Sequence, residues 1–363
     1  MKKVLFLANT SMAIFGLRGE IIQRLKEDNF EIITAFQSGL FGDGEKIANE
    51  NKCKFIEVKI NRRGKNPFND LFLLYQYIKL IKKEKPDVIL SFNVKCNIYG
   101  GIAARFFNVP FFPNITGLGK GLVEDELTKK ITIFLYKCAL KKAKCIFFQN
   151  ENDKAFFEKN IPYKNGVLLP GSGVNIKKFI PHEYPKDDKI RFLFISRVMK
   201  VKGIDEFLEA AQELKNDNIE FHVCGYCEDD YKDILDKYSQ NRIIEYHGLV
   251  NNVEDYIKNS SCIVLPSFHP EGIANVLLEA AAIARPIITT NRIGCKETII
   301  NNESGFLIEE KNAKDLIEKM KRFIELPMSE KELMGKKGRK HIEENFNRDI
   351  VVKQYYEQIK NVI

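Results

Sequence analysis

Two glutamates, Glu271 and Glu279, stand at the junction between an apolar run and a helix-forming run. The residues Cys262–Leu265 favour a strand, and the Leu-, Glu- and Ala-rich residues after position 275 favour a helix. The helix should end before Pro286, which lacks a backbone N–H and disfavours helical geometry in the preceding residue. This pattern predicts Glu271 on the loop above the strand and Glu279 a little over two turns along, so both carboxylates can face one cleft.

The segment between the two glutamates offers backbone groups that attract an anion. Gly272, Ile273 and Ala274, with Asn275 after them, lie at the predicted helix start, which carries partial positive charge. Because Gly272 has no side chain, a ligand can approach the backbone closely there. Two acids beside an anion site suit a ligand with both phosphates and hydroxyls, and a nucleotide sugar is such a ligand.

A pair of cations, Arg197 and Lys202, follows another predicted strand at residues 190–196 and precedes a helix that begins near Ile204. One interpretation is that both residues are solvated cations on a loop and bind no ligand. Since they stand beside a helix start that already favours anions, we interpret them as a diphosphate site.

Length and composition limit the classes of protein. A chain of 363 residues suggests two domains, and its 44% hydrophobic and 29% charged residues are typical of a soluble globular protein. No window approaches the roughly 18 uninterrupted apolar residues that a membrane span needs. The apolar start of the chain breaks at Asn9, which favours a buried first strand over a signal peptide. The net charge of +8 fits phosphate-bearing substrates, an anionic membrane surface or nucleic acid.

Most of the eight cysteines stand singly in apolar stretches, which fits a reducing cytoplasm. Cys224 and Cys227 form a CxxC motif. Three acidic residues follow it at once, and no second ligand pair has suitable spacing. We therefore predict neither redox chemistry nor a metal site there.

Strands and helices alternate along the chain, which predicts an α/β fold of two domains with parallel sheets covered on both faces. Residues 171–175 are glycine-rich and typical of a joint. We predict an N-terminal domain at 1–175, a C-terminal domain at 176–345, and a last helix at 346–363 that packs back on the N-terminal domain. Binding loops lie at the carboxyl ends of parallel strands, so residues 9–18 should line a cleft.

Two basic amphipathic helices are predicted in the first domain, at residues 67–85 and 127–144. Their apolar residues are Phe68, Leu71, Phe72, Tyr75, Ile78 and Ile81 in one, and Ile131, Phe134, Leu135 and Cys138 in the other. Lysines crowd both helices. One interpretation is a core-facing stripe with a solvated basic end. The other is contact with anionic lipid head groups.

With these motifs the chain resembles the retaining glycosyltransferases of family 4, which have the GT-B architecture of two facing Rossmann-like domains. The resemblance rests on the two glutamates, on Arg197 and Lys202, on residues 171–175, and on residues 284–288 with 305–307. Residues 97–104 and 116–119 resemble bacterial enzymes that extend lipid-linked oligosaccharides in capsule, O-antigen or N-glycan synthesis.

The resemblance implies a role for each matching residue. Arg197 and Lys202 would hold the donor diphosphate, Glu271 the hydroxyls of the transferred sugar, and Glu279 the ribose. The other donor-side residues would be Gly16, Gly272, Ile273, Ala274 and Asn275, and the acceptor-side residues Arg18, Lys95 and Thr116. Lys95 stands near the position where many relatives have a histidine.

The implied reaction is transfer of a hexose or N-acetylhexosamine from a UDP-sugar to a polyprenyl-diphosphate-linked saccharide, with retention through front-face attack. No Asp-x-Asp motif occurs in the chain, so no divalent metal is expected on the diphosphate. The enzyme would be cytoplasmic and peripheral on the cytoplasmic face of the inner membrane, where it would contact an anionic surface. No nucleic-acid partner is expected. Two alternatives are a sugar-nucleotide epimerase of similar two-domain fold and a non-catalytic binder of polyanions or membranes.

Overall fold

The computed structural model describes residues 1–39, 41–61, 64, 66–123, 126–227, 231–270 and 272–363. The chain divides into two units. The first comprises Met1–Ser172 together with Asp349–Ile363, and the second comprises Gly173–Arg348. The chain thus changes unit close to the glycine-rich segment at 171–175.

The first unit is built on a seven-stranded sheet in the order β3-β2-β1-β4-β5-β6-β7, whose neighbouring strands pair in parallel. Its strands are β1 (Lys3–Leu7), β2 (Glu31–Phe36), β3 (Lys54–Glu57), β4 (Val88–Phe92), β5 (Phe111–Ile115), β6 (Ile146–Phe148) and β7 (Gly166–Leu168). The central strands β1 and β4 are buried along nearly their whole length. Continuous apolar runs of this kind are typical of a sheet covered on both faces.

Several of the helices that cover this sheet begin at a residue whose side chain caps them. They are α1 (Leu17–Glu27), α2 (Gly44–Glu50), α3 (Pro67–Glu84), α4 (Val94–Phe106), α5 (Lys120–Val123), α6 (Glu126–Leu140) and α7 (Glu151–Asn160). Helix α3 shows the local cause, since Asn66 accepts a hydrogen bond from the N–H of Phe68 and Pro67 occupies the first helical position. Our sequence interpretation contained no helix at α2 or α7.

The second unit has a six-stranded parallel sheet in the order β10-β9-β8-β11-β12-β13. Its strands are β8 (Ile190–Ile195), β9 (Ile219–Cys224), β10 (Glu245–Tyr246), β11 (Cys262–Leu265), β12 (Ile287–Thr290) and β13 (Gly305–Ile308). The helices are α8 (Ile204–Leu214), α9 (Lys232–Gln240), α10 (Val253–Lys258), α11 (Asn275–Ala282), α12 (Ala313–Glu325) and α13 (Met328–Asn345). After α13 the chain forms α14 (Arg348–Lys360), most of which belongs to the first unit.

Each sheet reverses its strand order at one place, between β1 and β4 in the first unit and between β8 and β11 in the second. Loops that leave the carboxyl ends of two such strands diverge to opposite faces and open a crevice. The loops after β1 and β4, and those after β8 and β11, are therefore where each unit can bind a ligand.

The predicted core-facing stripe of α3 is wrong over its first half. Phe68 and Tyr75 are 78% and 58% exposed, while Leu73 and Tyr77 are buried. Helix α6 shows the same pattern, because Ile131 and Phe134 are exposed. Among the helices described, none combines the length and apolar character that crossing a bilayer requires.

Candidate active site

The loop after β8 carries both predicted cations of the second unit. Arg197 is the second residue after the strand, and Lys202 ends a short 3-10 turn, Lys200–Lys202, that leads into α8. Lys202 is buried and Arg197 is half-buried. Gly203, after the turn, has a φ of +79°, and a Cβ there would lie 2.2 Å from the carbonyl oxygen of Pro266. Only glycine therefore allows this turn to pack against the loop that follows β11.

Hydrogen bonds join the loops after β8 and β11. The N–H of Phe268 donates to the carbonyl of Val201 at 2.9 Å. The hydroxyl of Ser267 donates to the same carbonyl at 3.4 Å and accepts from the N–H of His269 at 3.2 Å. Residues about 65 positions apart in the chain thus form one rigid surface at the strand-order reversal.

The loop after β12 completes this surface. The Nε of Arg292 donates to the carbonyl of His269 at 3.2 Å, and its Nη1 pairs with Glu310 at 2.7 Å. Lys202 acts electrostatically on the buried thiol of Cys295, which also follows β12. The ammonium group of Lys202 therefore lies among the loops of three adjacent strands.

The electrostatics of His269 report the charge of this surface. Burial, followed by the positive charges of Lys202 and Arg197, lowers the pKa of His269 to about 4. Arg292 contributes in the same direction. Apart from burial, which disfavours either charge, the positive potential of these cations favours an anion in the same place. The structure thus brings the two predicted cations together and adds a neutral histidine.

The start of α11 differs in part from the prediction. The N–H of Ala274 donates to the carbonyl of Gly294 at 2.8 Å, so it is already engaged within the unit, and its contact with a donor stays a prediction. Gly272 and Ile273 are buried beside it. The side-chain oxygen of Asn275 is buried and has no hydrogen-bond partner among the described residues. Such an acceptor is suited to a hydroxyl or amide of a ligand.

The structure describes only the second of the two predicted glutamates. Glu271 lies outside the described residues. Glu279 is half-buried on α11, and burial raises the pKa of its carboxyl to about 7. The charges of Arg348 and Lys178 oppose that shift. At neutral pH this carboxyl can therefore both donate and accept hydrogen bonds, which suits a ligand's hydroxyl groups.

In the first unit, the loops after β1 and β4 meet at the corresponding reversal. The N–H of Asn9 donates to the side chain of Asn93 at 3.1 Å. Gly16 ends a π-helical turn, Met12–Gly16, that opens α1. Thr116 directly follows the neighbouring strand β5 and is half-buried. The predicted loops of this unit therefore share one edge of its sheet.

The two cations predicted on the acceptor side are both engaged within the first unit. Arg18 is buried, donates to the carbonyl of Ala13 at 3.1 Å and lies over the ring of Phe92 at 4.4 Å. Lys95 lies in the first turn of α4, and its ammonium group pairs with Asp70 at 2.6 Å. A contact of either side chain with an acceptor stays a prediction.

Sequence reasoning missed His269 and Arg292 as members of the site. Both follow buried strands at the edge where Arg197 and Lys202 lie. The signal available in the sequence was their position after an apolar run. It was weak, because nothing local showed that β11 and β12 stand next to β8 in the sheet.

Comparison with known proteins places these two units in a family. Residues 3–150 match the model of glycosyl transferase 4-like domains, and residues 176–341 match that of glycosyl transferases group 1. The two matches cover most of each unit.

Three curated relatives are glycosyltransferases by name. The N,N'-diacetylbacillosaminyl-diphospho-undecaprenol alpha-1,3-N-acetylgalactosaminyltransferase of Campylobacter jejuni is 28% identical, over 88% of this chain and 89% of its own. The capsular polysaccharide biosynthesis glycosyltransferase CapM of Staphylococcus aureus is 28% identical, over 96% and 94%. The UDP-Gal:alpha-D-GlcNAc-diphosphoundecaprenol alpha-1,3-galactosyltransferase of Escherichia coli is 29% identical, over 66% and 67%.

Among solved structures, sucrose-phosphate synthase from Thermosynechococcus elongatus superposes with a TM-score of 0.81. The alignment covers 100% of this chain and 99% of that one, at 17% sequence identity. The likeness shows the fold, which is GT-B with two Rossmann-like domains.

Proposed function

The chain belongs to the glycosyltransferases that these two domain models describe, and from that premise we propose its reaction. It transfers a hexose or N-acetylhexosamine from a UDP-sugar to a polyprenyl-diphosphate-linked saccharide in bacterial surface glycan synthesis. The names of the C. jejuni and E. coli relatives support the acceptor class, since both contain a diphospho-undecaprenol saccharide. The E. coli name also supports a UDP-sugar donor.

One observation carries the donor assignment. Arg197 and Lys202 act together on His269 at the carboxyl edge of the sheet, where their charges help to lower its pKa to about 4. A diphosphate bound there would meet two cations and the first turns of two helices. The neutral imidazole of His269 would add a hydrogen-bond donor without a further charge.

In the proposed reaction, the bond between the anomeric carbon and the diphosphate oxygen breaks as the acceptor hydroxyl attacks from the same face. The acceptor oxygen forms the new bond, and its proton passes to the leaving diphosphate. Arg197 and Lys202 stabilise the charge that develops on that diphosphate, which makes departure faster. The anomeric configuration of the donor is retained.

The two glutamates would orient the donor. Glu279 would bind the ribose hydroxyls, and Glu271 the hydroxyls of the transferred sugar. Asn275 supports this arrangement. Its buried side-chain oxygen has no hydrogen-bond partner among the described residues, so it could accept a hydrogen bond from the donor. We propose that the cations replace a divalent metal on the diphosphate.

The transfer assay measures UDP release and saccharide product from a panel of UDP- and GDP-sugars with a polyprenyl-diphosphate-linked acceptor. Lys202→Ala and Arg197→Ala should each lower kcat/KM about a hundredfold, or about 3 kcal/mol. Lys200→Ala is the matched control, since Lys200 is exposed on the same short turn. The product should keep the donor's anomeric configuration by NMR, and added Mg²⁺ or Mn²⁺ should not raise turnover. Full activity of Arg197→Ala and Lys202→Ala would exclude the donor site.

The acceptor is a lipid, and the first unit has a surface suited to a membrane. Four apolar side chains of α3 and three of α6 are at least half exposed, and both helices pack beside α4. These are Phe68, Leu71, Phe72 and Tyr75 in α3, and Leu127, Ile131 and Phe134 in α6. Lys79, Lys82 and Lys83 extend the α3 face at helical spacing, and all three are exposed. Apolar residues beside lysines fit anionic head groups.

Flotation with anionic and with neutral liposomes tests this contact. The wild-type protein should float with anionic vesicles. Both Phe68→Ser/Phe72→Ser and Lys79→Glu/Lys82→Glu/Lys83→Glu should reduce that binding at least tenfold. Leu333→Ser removes a side chain that is 52% exposed on α13 and should have no effect. Equal flotation of all variants would refute membrane contact and leave the transferase assay unaffected.

A further inference from the structure

A group of three side chains on the second sheet lies apart from the donor site. His222 of β9 is the register partner of Glu245 in β10, and His247 directly follows that strand. Because side chains alternate along a strand, Glu245 and His247 point to the same face. The side chains of His222, Glu245 and His247 are 15%, 65% and 22% exposed.

The ligand atoms of these side chains converge. Nδ1 of His222 and Nε2 of His247 share a hydrogen bond of 3.0 Å, which a bound ion would replace, and Oε2 of Glu245 lies 3.6 and 4.0 Å from these two nitrogens. A point about 2.1 Å from all three atoms lies at the centre of the circle through them, and zinc binds histidine nitrogen and carboxylate oxygen at about that distance. Tetrahedral zinc keeps its ligand atoms about 3.3 Å apart, so the exposed carboxylate of Glu245 would move a few tenths of an ångström towards the two nitrogens on binding.

We propose that His222, Glu245 and His247 bind one Zn²⁺ ion. Two imidazoles and a carboxylate are a donor set that zinc accepts, and three protein ligands leave a fourth position open. That position can face the neighbouring cavity of about 400 Å³, which is lined by both histidines, Arg191, Asp255 and Tyr256 among others. Water or a small anion would complete the coordination.

The surroundings of His222 support this assignment. The second ring nitrogen of His222, Nε2, is buried and has no hydrogen-bond partner among the described residues. Oε2 of Glu220 lies 3.7 Å from it, where a small shift would make the carboxylate–histidine contact usual behind a metal ligand.

A bound ion would also help to hold strand β10 at the edge of the sheet. Strand β10 has two residues and lies at the edge of the sheet, so few backbone hydrogen bonds hold it to β9. An ion bound by His222 on β9 and by Glu245 and His247 would link the two strands through coordination bonds. Zinc binding should therefore stabilise the second unit, and the ion should take no part in the sugar-transfer reaction.

Zinc titration of metal-stripped full-length protein by calorimetry tests the proposal, with a thermal melt as a second measurement. We expect one Zn²⁺ per chain and a rise in Tm. His247→Ala should weaken binding a hundredfold or more, and Glu245→Gln, at an exposed position, at least tenfold. His182→Ala is the matched control, because His182 lies outside the group and should leave affinity unchanged.

Co²⁺ substitution distinguishes this site from cysteine sites. Coordination by nitrogen and oxygen should give visible bands without thiolate charge transfer in the near ultraviolet. Circular dichroism of each metal-free variant shows that it is folded. Unchanged affinity in folded His247→Ala and Glu245→Gln, or a thiolate band that disappears in Cys227→Ser, would overturn the proposal.

Discussion

At the scale of single residues, burial has opposite consequences for the charge of two groups in the second unit. It lowers the pKa of His269 to about 4, with help from neighbouring cations, so this ring is neutral at physiological pH. It raises the pKa of Glu279 to about 7, against the charges of Arg348 and Lys178. In both cases the cost of removing a charge from water is the largest cause. The site therefore concentrates its charge on Arg197 and Lys202.

The state of Glu279 predicts a pH dependence of donor binding. If its carboxylate accepts hydrogen bonds from the ribose, affinity for UDP should rise from pH 6 to pH 8 and level off above the pKa of about 7. Isothermal titration at several pH values measures this rise. Glu279→Gln should bind UDP more weakly above pH 7 and should lose the dependence. An unchanged pH profile in Glu279→Gln would contradict the ribose assignment.

The same carboxyl affects stability with a sign that follows from its raised pKa. The folded state holds this proton more tightly than the unfolded state, whose carboxyl has the ordinary value of 4.5. Wild-type protein should therefore lose stability relative to Glu279→Gln as pH rises from about 4.5 to about 7. Urea denaturation at pH 4.5, 6 and 8 checks the trend. A difference that does not grow with pH would show that the carboxyl titrates normally.

At the scale of secondary-structure elements, close contacts between loop backbones decide where the cations stand. Gly225 directly follows β9 and has a φ of +142°, and a Cβ there would lie 1.7 Å from the carbonyl oxygen of Ser196. Ser196 immediately precedes Arg197. The position of the loop that carries Arg197 thus depends on a glycine that follows the neighbouring strand β9.

Gly225→Ala should cost about 3 kcal/mol of unfolding free energy, since it combines a steric collision with a conformation that side chains rarely adopt. It should also lower kcat/KM by displacing Arg197. Gly248→Ala is a matched control, because Gly248 has a φ of +65° but open space around its Cβ position. It should cost about 1 kcal/mol and leave activity intact. Urea denaturation and the transfer assay measure both, and equal costs would refute the steric argument.

Helices α3 and α6 show why periodicity alone misassigns a helix face. Both faces of α3 are apolar, with Leu73 and Tyr77 on one and Phe68 and Tyr75 on the other. Helical spacing identifies both faces equally. Packing against α4 decides which of the two faces is buried. The sequence of α3 alone does not show which face meets α4.

At the scale of the whole molecule, helix α14 follows the second unit in sequence but packs into the core of the first unit. Tyr355 of α14 is buried, and its ring centroid lies 4.1 Å from that of Phe147 and 6.4 Å from that of Phe92. Its hydroxyl accepts a hydrogen bond from the side chain of Asn114. The core of the first unit therefore includes a residue that is more than 200 positions away from its partners in sequence.

Tyr355→Ala should destabilise the first unit by about 3–5 kcal/mol through the cavity it leaves. Hydrogen exchange followed by mass spectrometry should show faster exchange in β4 to β6, with the second unit unchanged. Tyr75→Ala removes a ring that is 58% exposed and should cost less than about 1 kcal/mol. Equal effects of the two substitutions would show that α14 does not complete the core.

The sequence by itself determined the local features: the alternation of strands and helices, the cations at the start of α8, and Glu279 on α11. These follow from propensities, caps and turns, which act over a few residues. Only the tertiary structure decided that β8, β11 and β12 are neighbours, and hence that the charges of Arg197 and Lys202 act on His269. It also directed the N–H of Ala274 to Gly294 and paired Lys95 with Asp70. The physical reason is that strand order and side-chain partners depend on contacts between distant segments, which no local pattern contains.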